Sequence, residues 1–264
     1  MAEKLIIAGS VEEALKAKDA DSVFMAGGTE INRLGSSVTA NTLVSVRKIK
    51  EIRFIKQEDG MVWLGAATTF QEAIDAEEVP EYFKEACRFM ASRTKRNMAT
   101  LGGNIALLRD DSYIVPCLIA AKATVVYLLN GKEESGCICC YMAKAKKGEL
   151  KDALILRIGL DPSRKVFSKR YANTAMSYSR LNVSYGTDAD GKNVSVGAAI
   201  KNTGLFKLAA AEKLTSEKEA MDWAKDASDL QIRSDMYGSE EYKRYLLGTT
   251  IAKFIEESHK EVLA

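Results

Sequence analysis

The chain contains two Gly-Gly pairs, each inside a short stretch of small residues: Ala26-Gly27-Gly28-Thr29 and Thr100-Leu101-Gly102-Gly103-Asn104. Backbone N–H groups converge on phosphate oxygens only where the chain bends sharply and the ligand comes close. Residues without a Cβ permit both, and a neighbouring threonine hydroxyl adds a neutral donor. One such pair reads first as a tight turn. Two of them, each with its threonine, point to a cradle for a diphosphate. Neither has the spaced glycines of a dinucleotide-binding βαβ fingerprint or the lysine of a phosphate-binding P-loop, so those two nucleotide-binding solutions are disfavoured.

Other chemistry is thinly represented. Cys137, Cys139 and Cys140 form a C-x-C-C cluster that invites a metal reading, but the chain has five cysteines in all and one histidine, His259, at its far end. A closed four-ligand site needs more donors, so structural or incidental thiols are expected and no metal ligand is assigned. The same shortage excludes a catalytic triad, because no nucleophile can be given a histidine base. Arg93, Lys95 and Arg96 precede the second glycine segment and form a charge run of the kind that is usually solvated.

Composition narrows the remaining classes. The 264 residues are 47% hydrophobic, enough for a full core. Lys+Arg of 38 against Asp+Glu of 36 leaves a net charge of +2, so no global field favours nucleic acid or an anionic membrane surface. No apolar run approaches the roughly 18 residues of a membrane span, and the opening MAEKLIIAGS is too polar for a signal peptide. With an odd number of cysteines, the expectation is a cytoplasmic protein with free thiols.

The elements that must position the glycine segments follow from periodicity and turn residues. Ser10 and Glu13 predict a capping box opening a short helix, and residues 23–25 a buried strand ending at the first glycine pair. Residues 43–46 read as a strand, and 52–56 as a strand pairing with 61–64 across Glu58-Asp59-Gly60. Thr68 or Thr69 caps a helix to Glu77, a second helix follows Pro80 over 82–90, and 100–104 form a second glycine loop. Residues 116–123 are expected to be helical, 124–129 a strand closed by Asn130-Gly131, and 153–160 another strand. After Asp161-Pro162 come strands at 166–171 and 181–185, a turn at 188–191, a strand through Ala199, and then helices. The last, about 239–262, carries Tyr242, Tyr245, Leu246, Thr249, Phe254 and Ile255 on its predicted docking face. The fold class is α+β, with domains at 1–162 and 163–264.

The segments FMAGGTEI and ATLGGNIA, with LGAATTFQEA between them, resemble the FAD-binding subunit of the xanthine dehydrogenase family of molybdenum hydroxylases in both order and spacing. The resemblance covers nearly the whole chain. It implies a two-part FAD-binding domain followed by a smaller α+β C-terminal domain. It also implies that the two segments grip the FAD diphosphate through Met25, Ala26, Gly27, Gly28, Thr29, Glu30 and Ile31, then Thr100, Gly102, Gly103 and Asn104. ILRIGL resembles the strand that lays an apolar residue against the flavin, here Ile155, and FSKRYANTAMSYSRLNVSYG the segment with a flavin-proximal lysine, here Lys169. Where many relatives carry an aspartate for the flavin's ribityl or ribose hydroxyls, this chain has Tyr113, with Asp110 and Asp111 just before it. Asp111 and Tyr113 both remain candidates for that contact.

By the same resemblance, a small subunit with two [2Fe-2S] clusters feeds the flavin and a molybdopterin-containing large subunit oxidises the substrate. Electrons leave to NAD or another acceptor, and no residue of this chain is assigned a catalytic role of its own. Two rival readings stay open: a stand-alone FAD-dependent reductase of related fold, and a scaffold subunit that keeps the fold without flavin.

Overall fold

A computed structural model of the protein describes residues 2–33, 36 and 40–263, with the side chains of 261–263 left aside. The chain divides into two units, each assembled from three stretches: Met1–Pro80, Met90–Leu107 and Thr124–Leu160, and then Glu81–Phe89, Leu108–Ala123 and Asp161–Ala264. The first 162 residues are thus shared between both units.

In the first unit, β1 (Lys4–Ile7), β2 (Ser22–Met25) and β3 (Thr42–Ser45) form a parallel sheet in the order β1-β3-β2. Helix α1 (Val11–Ala17) links the first two strands; Ser10 accepts the Glu13 N–H at 3.1 Å and the Glu13 carboxylate accepts the Gly9 N–H at 2.7 Å, so two end donors are satisfied. A second, antiparallel sheet has the order β4-β5-β8-β6-β7 and comprises β4 (Ile55–Glu58), β5 (Met61–Gly65), β6 (Thr124–Leu129), β7 (Lys132–Cys137) and β8 (Leu154–Leu160). Its hairpins turn at Asp59-Gly60 and Asn130-Gly131, all four residues at positive φ, as two-residue turns matched to strand twist require. Ala14, Val44, Ile49, Ala67, Val126 and Leu156 belong to one buried cluster shared by both sheets.

The strand expected at 52–56 begins only at Ile55, because Lys50–Ile52 is a 3-10 turn. The Ile52 carbonyl turns in to accept the Ala67 N–H at 2.7 Å, which takes it out of the β4 ladder. The helix capped by Thr69 is α2 (Phe70–Asp75), with a reciprocal Thr69–Glu72 capping box.

In the second unit, α3 (Glu81–Arg88) and α6 (Val115–Ala120) join an antiparallel sheet of order β12-β11-β10-β9, made of β9 (Lys165–Tyr171), β10 (Leu181–Thr187), β11 (Ser195–Ile200) and β12 (Gly204–Lys207). Every residue of α6, β10 and β11 is buried. Helix α6 lies so close to the strands that a Cβ on Gly186 would stand 2.3 Å from the Ala120 carbonyl and one on Gly197 would stand 2.5 Å from that of Pro116. The residues after α6 satisfy part of its end, Ala123 donating to Leu118 O at 2.9 Å and Lys122 to Ile119 O at 3.0 Å, and the sheet supplies the rest. Ser195 Oγ donates to Ile119 O at 2.9 Å, and the Arg164 guanidinium donates to Ala120 O at 3.0 and 3.2 Å.

Helices α8 (Glu217–Asp226) and α9 (Glu240–Leu263) complete this unit. The predicted docking face of α9 holds in part: Leu246, Phe254 and Ile255 are buried as expected, but Tyr242 and Tyr245 are 43% and 57% exposed, and Lys243, Leu247, Thr250 and Ile251 are buried in their place. Lys243 can lie inside because its ammonium is held by Asp235 and the Arg233 carbonyl, both at 2.8 Å.

Candidate functional site

Three segments separated in sequence meet in the first unit. The 66–69 turn that follows β5 accepts two N–H groups of the second glycine segment: Leu101 donates to Thr68 O at 3.0 Å and Gly102 to Ala66 O at 2.8 Å. Phe70 N donates in turn to Ala99 O at 3.1 Å, and Thr69 and Thr100 form an isolated bridge. The first glycine segment closes on the same place. A Cβ on Gly27 would stand 1.8 Å from the Met98 carbonyl oxygen, so the two backbones touch where only glycine fits. Gly102 is constrained in the same manner, since its Cβ would meet that of Ala66 at 2.6 Å.

The 100–104 stretch is not the loop the sequence suggested. Helix α5 (Leu101–Leu107) starts directly after Thr100, and the buried Thr100 hydroxyl accepts the Gly103 N–H at 3.3 Å, as a residue at a helix start does. Asn104 N donates to Thr100 O at 3.1 Å. The N–H groups of Leu101, Gly102, Gly103 and Asn104 therefore all have internal acceptors.

The first segment differs. Gly28 has φ +67°, and its carbonyl accepts the Asn32 N–H at 3.0 Å, so one helical turn starts here. Among the described residues, no hydrogen bond takes the N–H groups of Gly27, Gly28 or Thr29. Successive donors around a left-handed residue are the geometry in which backbone binds an anion, so this turn fits a diphosphate. Glu30 grips Arg33 with both oxygens, at 2.7 to 3.1 Å, across the same turn. Met25 ends β2, and Ile31 lies half-buried inside the turn.

Ile155 belongs to this unit too, buried on β8 opposite Tyr127 of β6. Arg96, left outside the site on sequence grounds, has a structural task. Its guanidinium donates to the carbonyls of Met90 and Ala91 at 2.7 and 2.9 Å and to Gln71 at 2.9 Å.

Asp111, Tyr113 and Lys169 lie in the second unit. Asp111 is buried, with Arg109 on both oxygens at 2.8 Å and Lys201 at 3.2 Å. Burial works to raise its carboxyl, but the hydrogen bonds and charge of Arg109, helped by Lys201, overcome this and hold it below the usual aspartate value. Asp110 receives Lys201 at 2.7 Å and the Asn202 N–H at 2.8 Å. The ring of Tyr113 lies 5.7 Å from the Arg170 guanidinium, and burial raises its hydroxyl pKa. Lys169 is exposed on the edge strand β9, with no partner among the described residues.

Sequence reasoning did not include Ala66, Thr68 and Met98 in the site, although LGAATTFQEA was visible as a motif. The signal available was the small Ala66 opposite a required glycine. Asn182 was missed as well: it is 1% exposed, and its amide donates to Ser112 O at 2.7 Å, fixing the residue before Tyr113.

Residues 1–160, more than half of the chain, match the family described as FAD binding domain in molybdopterin dehydrogenase. The chain belongs to this family. Within the curated relatives it is similar to YgfM of Escherichia coli (strain K12), a protein described as uncharacterized, at 28% identity over 96% of this chain and 95% of that one. It is also similar to the nicotinate dehydrogenase FAD-subunit of Eubacterium barkeri, at 27% identity over 41% of this chain and 38% of that one. Among solved structures, a chain of the carbon monoxide dehydrogenase of Hydrogenophaga pseudoflava has the same fold, with a TM-score of 0.81, 17% identity, and 99% of this chain and 98% of that one covered. The α+β fold agrees with that of this solved relative over nearly its full length. Among the described residues, no helix is long and apolar enough to cross a membrane, and no group of three His, Cys, Asp or Glu could hold a metal ion.

Proposed function

We propose that this chain binds FAD noncovalently and serves as the flavin-carrying, electron-transferring subunit of a molybdenum hydroxylase complex. The observation that carries the reading is the turn at 27–29, whose three N–H groups are without acceptors among the described residues and abut the segment leading into Gly102-Gly103. The family is described as an FAD-binding domain, and FAD carries a diphosphate of the kind such a turn can hold. Neither glycine segment contains a His or Cys that could link covalently to the flavin.

In this assignment the N–H groups of Gly27, Gly28 and Thr29 hold the diphosphate, flanked by Met25, Ala26 and Ile31, while the Glu30–Arg33 pair fixes the turn. Gly103 and Asn104 flank the ligand from α5, Gly103 by leaving room where a Cβ would stand, and Thr100 and Gly102 position that helix. Ile155 offers an apolar contact to the ring system. The sugar hydroxyls are assigned to Asp111 or the Tyr113 hydroxyl, Asp111 accepting from Arg109 and Lys201 with acceptor capacity to spare. Lys169, an exposed cation, is the group that would favour a reduced, anionic flavin over the oxidised form. Bound FAD supplies the conversion between one-electron and two-electron transfer. The donors are a [2Fe-2S] small subunit served by a molybdopterin large subunit, and the acceptor is NAD or another carrier.

The purified full-length chain should be yellow, and acid precipitation should release FAD into the supernatant. A colourless chain would favour the flavin-free scaffold; colour retained in the pellet, or release of FMN, would overturn the attachment proposed. Tagged in its native host, the chain should bring down a cysteine-rich small protein and a large molybdenum protein. Recovery of the monomer alone, with turnover of its own, would identify a stand-alone reductase.

A further inference from the structure

The cysteine cluster has a geometry that its spacing alone does not reveal. Strand β7 runs without a loop into helix α7 (Ile138–Lys146), which makes Cys137 the residue that caps the helix. Cys137 Sγ accepts the Cys140 N–H at 3.1 Å, and Cys140, one turn along and exposed, places its own sulfur 2.7 Å from that of Cys137. Two thiols in a C-x-x-C spacing at a helix N-terminus, at least one of them open to solvent, are the arrangement in which cysteines exchange with disulfides rather than fill a core. No third metal-ligating side chain joins them among the described residues.

The surroundings suit reversible closure. Gly136 leaves Cys140 only an ordinary contact, since a Cβ there would lie 3.6 Å away. On the two flanking elements, Lys144 of α7 holds Glu134 of β7 at 2.6 Å and the Tyr127 hydroxyl at 3.1 Å. Cys87 and Cys117 do not compete, being buried, and burial pushes the Cys117 thiol up to about 12.

We propose that Cys137 and Cys140 form a redox-active dithiol that exchanges with low-molecular-weight or protein disulfides, closing to an intrachain disulfide and reopening on reduction. Cys137 is the attacking residue, because a sulfur at a helix start that receives a backbone N–H is the better placed of the two to carry negative charge. Cys140 keeps its proton: the hydrogen bond with Cys137 is the first cause that holds its thiol above the ordinary value. The Cys137 thiolate attacks one sulfur of the external disulfide, forming a mixed disulfide and releasing one thiolate. Cys140, giving up its proton, then attacks the Cys137 sulfur and releases the second. Two cysteine thiols lose two electrons and two protons, and the external disulfide gains them as two thiols.

The test uses the full-length protein equilibrated in mixtures of reduced and oxidised glutathione, quenched with an alkylating agent under denaturing conditions, and read by intact mass and peptide mapping. Wild type should pass in one step from five alkylated thiols to three, with a link joining Cys137 to Cys140, and dithiothreitol should restore all five. Cys140→Ser should accumulate a glutathione adduct on Cys137, while Cys139→Ser should close as wild type does. The proposal is overturned if wild type keeps five free thiols throughout, if it carries a persistent glutathione adduct in place of the link, or if the link involves Cys139.

Discussion

At residues 27–29 the backbone N–H groups lack acceptors among the described residues, whereas at Leu101, Gly102, Gly103 and Asn104 every N–H has one. The two segments nevertheless share a Gly-Gly pair with a threonine alongside. A glycine pair thus records that something comes close to the backbone, without recording what. At Gly27 and Gly102 it is the protein itself, through Met98 and Ala66. At Gly28 it is a left-handed backbone, and at Gly103 the one close atom is the Thr100 hydroxyl, 2.9 Å from where a Cβ would stand. The first segment is built to donate, and the second to support and make room.

The substitution expected to do most damage is Gly27→Val. Its side chain cannot avoid the Met98 carbonyl, so stability should fall by about 3 kcal/mol, and flavin content should collapse with it; urea unfolding and flavin-to-protein ratio read both. If Gly27→Val were as stable as wild type, the close approach of the two segments would be wrong. Asp111→Asn, outside both segments, should cost about 2 kcal/mol at neutral pH by leaving Arg109 and Lys201 short of an acceptor. The pH dependence sharpens this control. A carboxyl held below its ordinary value contributes stability fully above about pH 4, and loses it as pH falls through the lowered value. Wild type should therefore lose stability more steeply than Asp111→Asn below that pH, and equal slopes would remove the ion-pair assignment.

Gly28→Ala separates donation from packing. The added Cβ meets only the ends of the Asn32 and Met25 side chains, so the cost is the left-handed backbone, about 1–2 kcal/mol. Flavin affinity should drop by more than this, since three donors are redirected; a fall no larger than the stability loss would argue against the 27–29 cradle. Gly103→Ala should change stability by no more than about 0.5 kcal/mol, because better helix propensity offsets a Cβ 2.9 Å from Thr100 Oγ1. Flavin content should still fall, and full retention would take Gly103 out of the ligand's path. The smallest effect belongs to Lys169→Ala: unchanged stability, retained flavin, and a reduction potential below wild type in a redox titration. An unchanged potential would return Lys169 to the solvated surface.

Much of the fold could be read from local pattern. Alternating apolar residues with Asn130-Gly131 define the β6–β7 turn, and Thr69 with Glu72 announces α2, because the physics of both elements is confined to a few neighbouring residues. Strand β7, KEESGC, was invisible because it is an edge strand with largely exposed side chains, and its pairing with β6 is a tertiary event. The buried face of α9 was placed only in part for a similar reason: nothing near Lys243 in the sequence states that Asp235 and a carbonyl will receive its charge. In the site, the positions of the glycines were legible, but their division into donors and spacers was not. That division depends on Met98, which meets Gly27, and on Ala66 and Thr68, which meet Gly102 and Leu101; each pair is distant in sequence and adjacent only after folding.

The excursion that carries α6 into the second unit also bears on biosynthesis. Val115–Ala120 is entirely apolar, and the strands it covers end with Ile200, about 80 residues later. At a ribosomal rate of about 5–20 residues per second, this segment waits on the order of several seconds before its sheet exists. During that interval it is a nascent hydrophobic stretch of the kind chaperones bind. A fragment ending at Leu160 would prolong the wait indefinitely, so truncation there should yield aggregation, and co-expression of residues 161–264 in trans should relieve it.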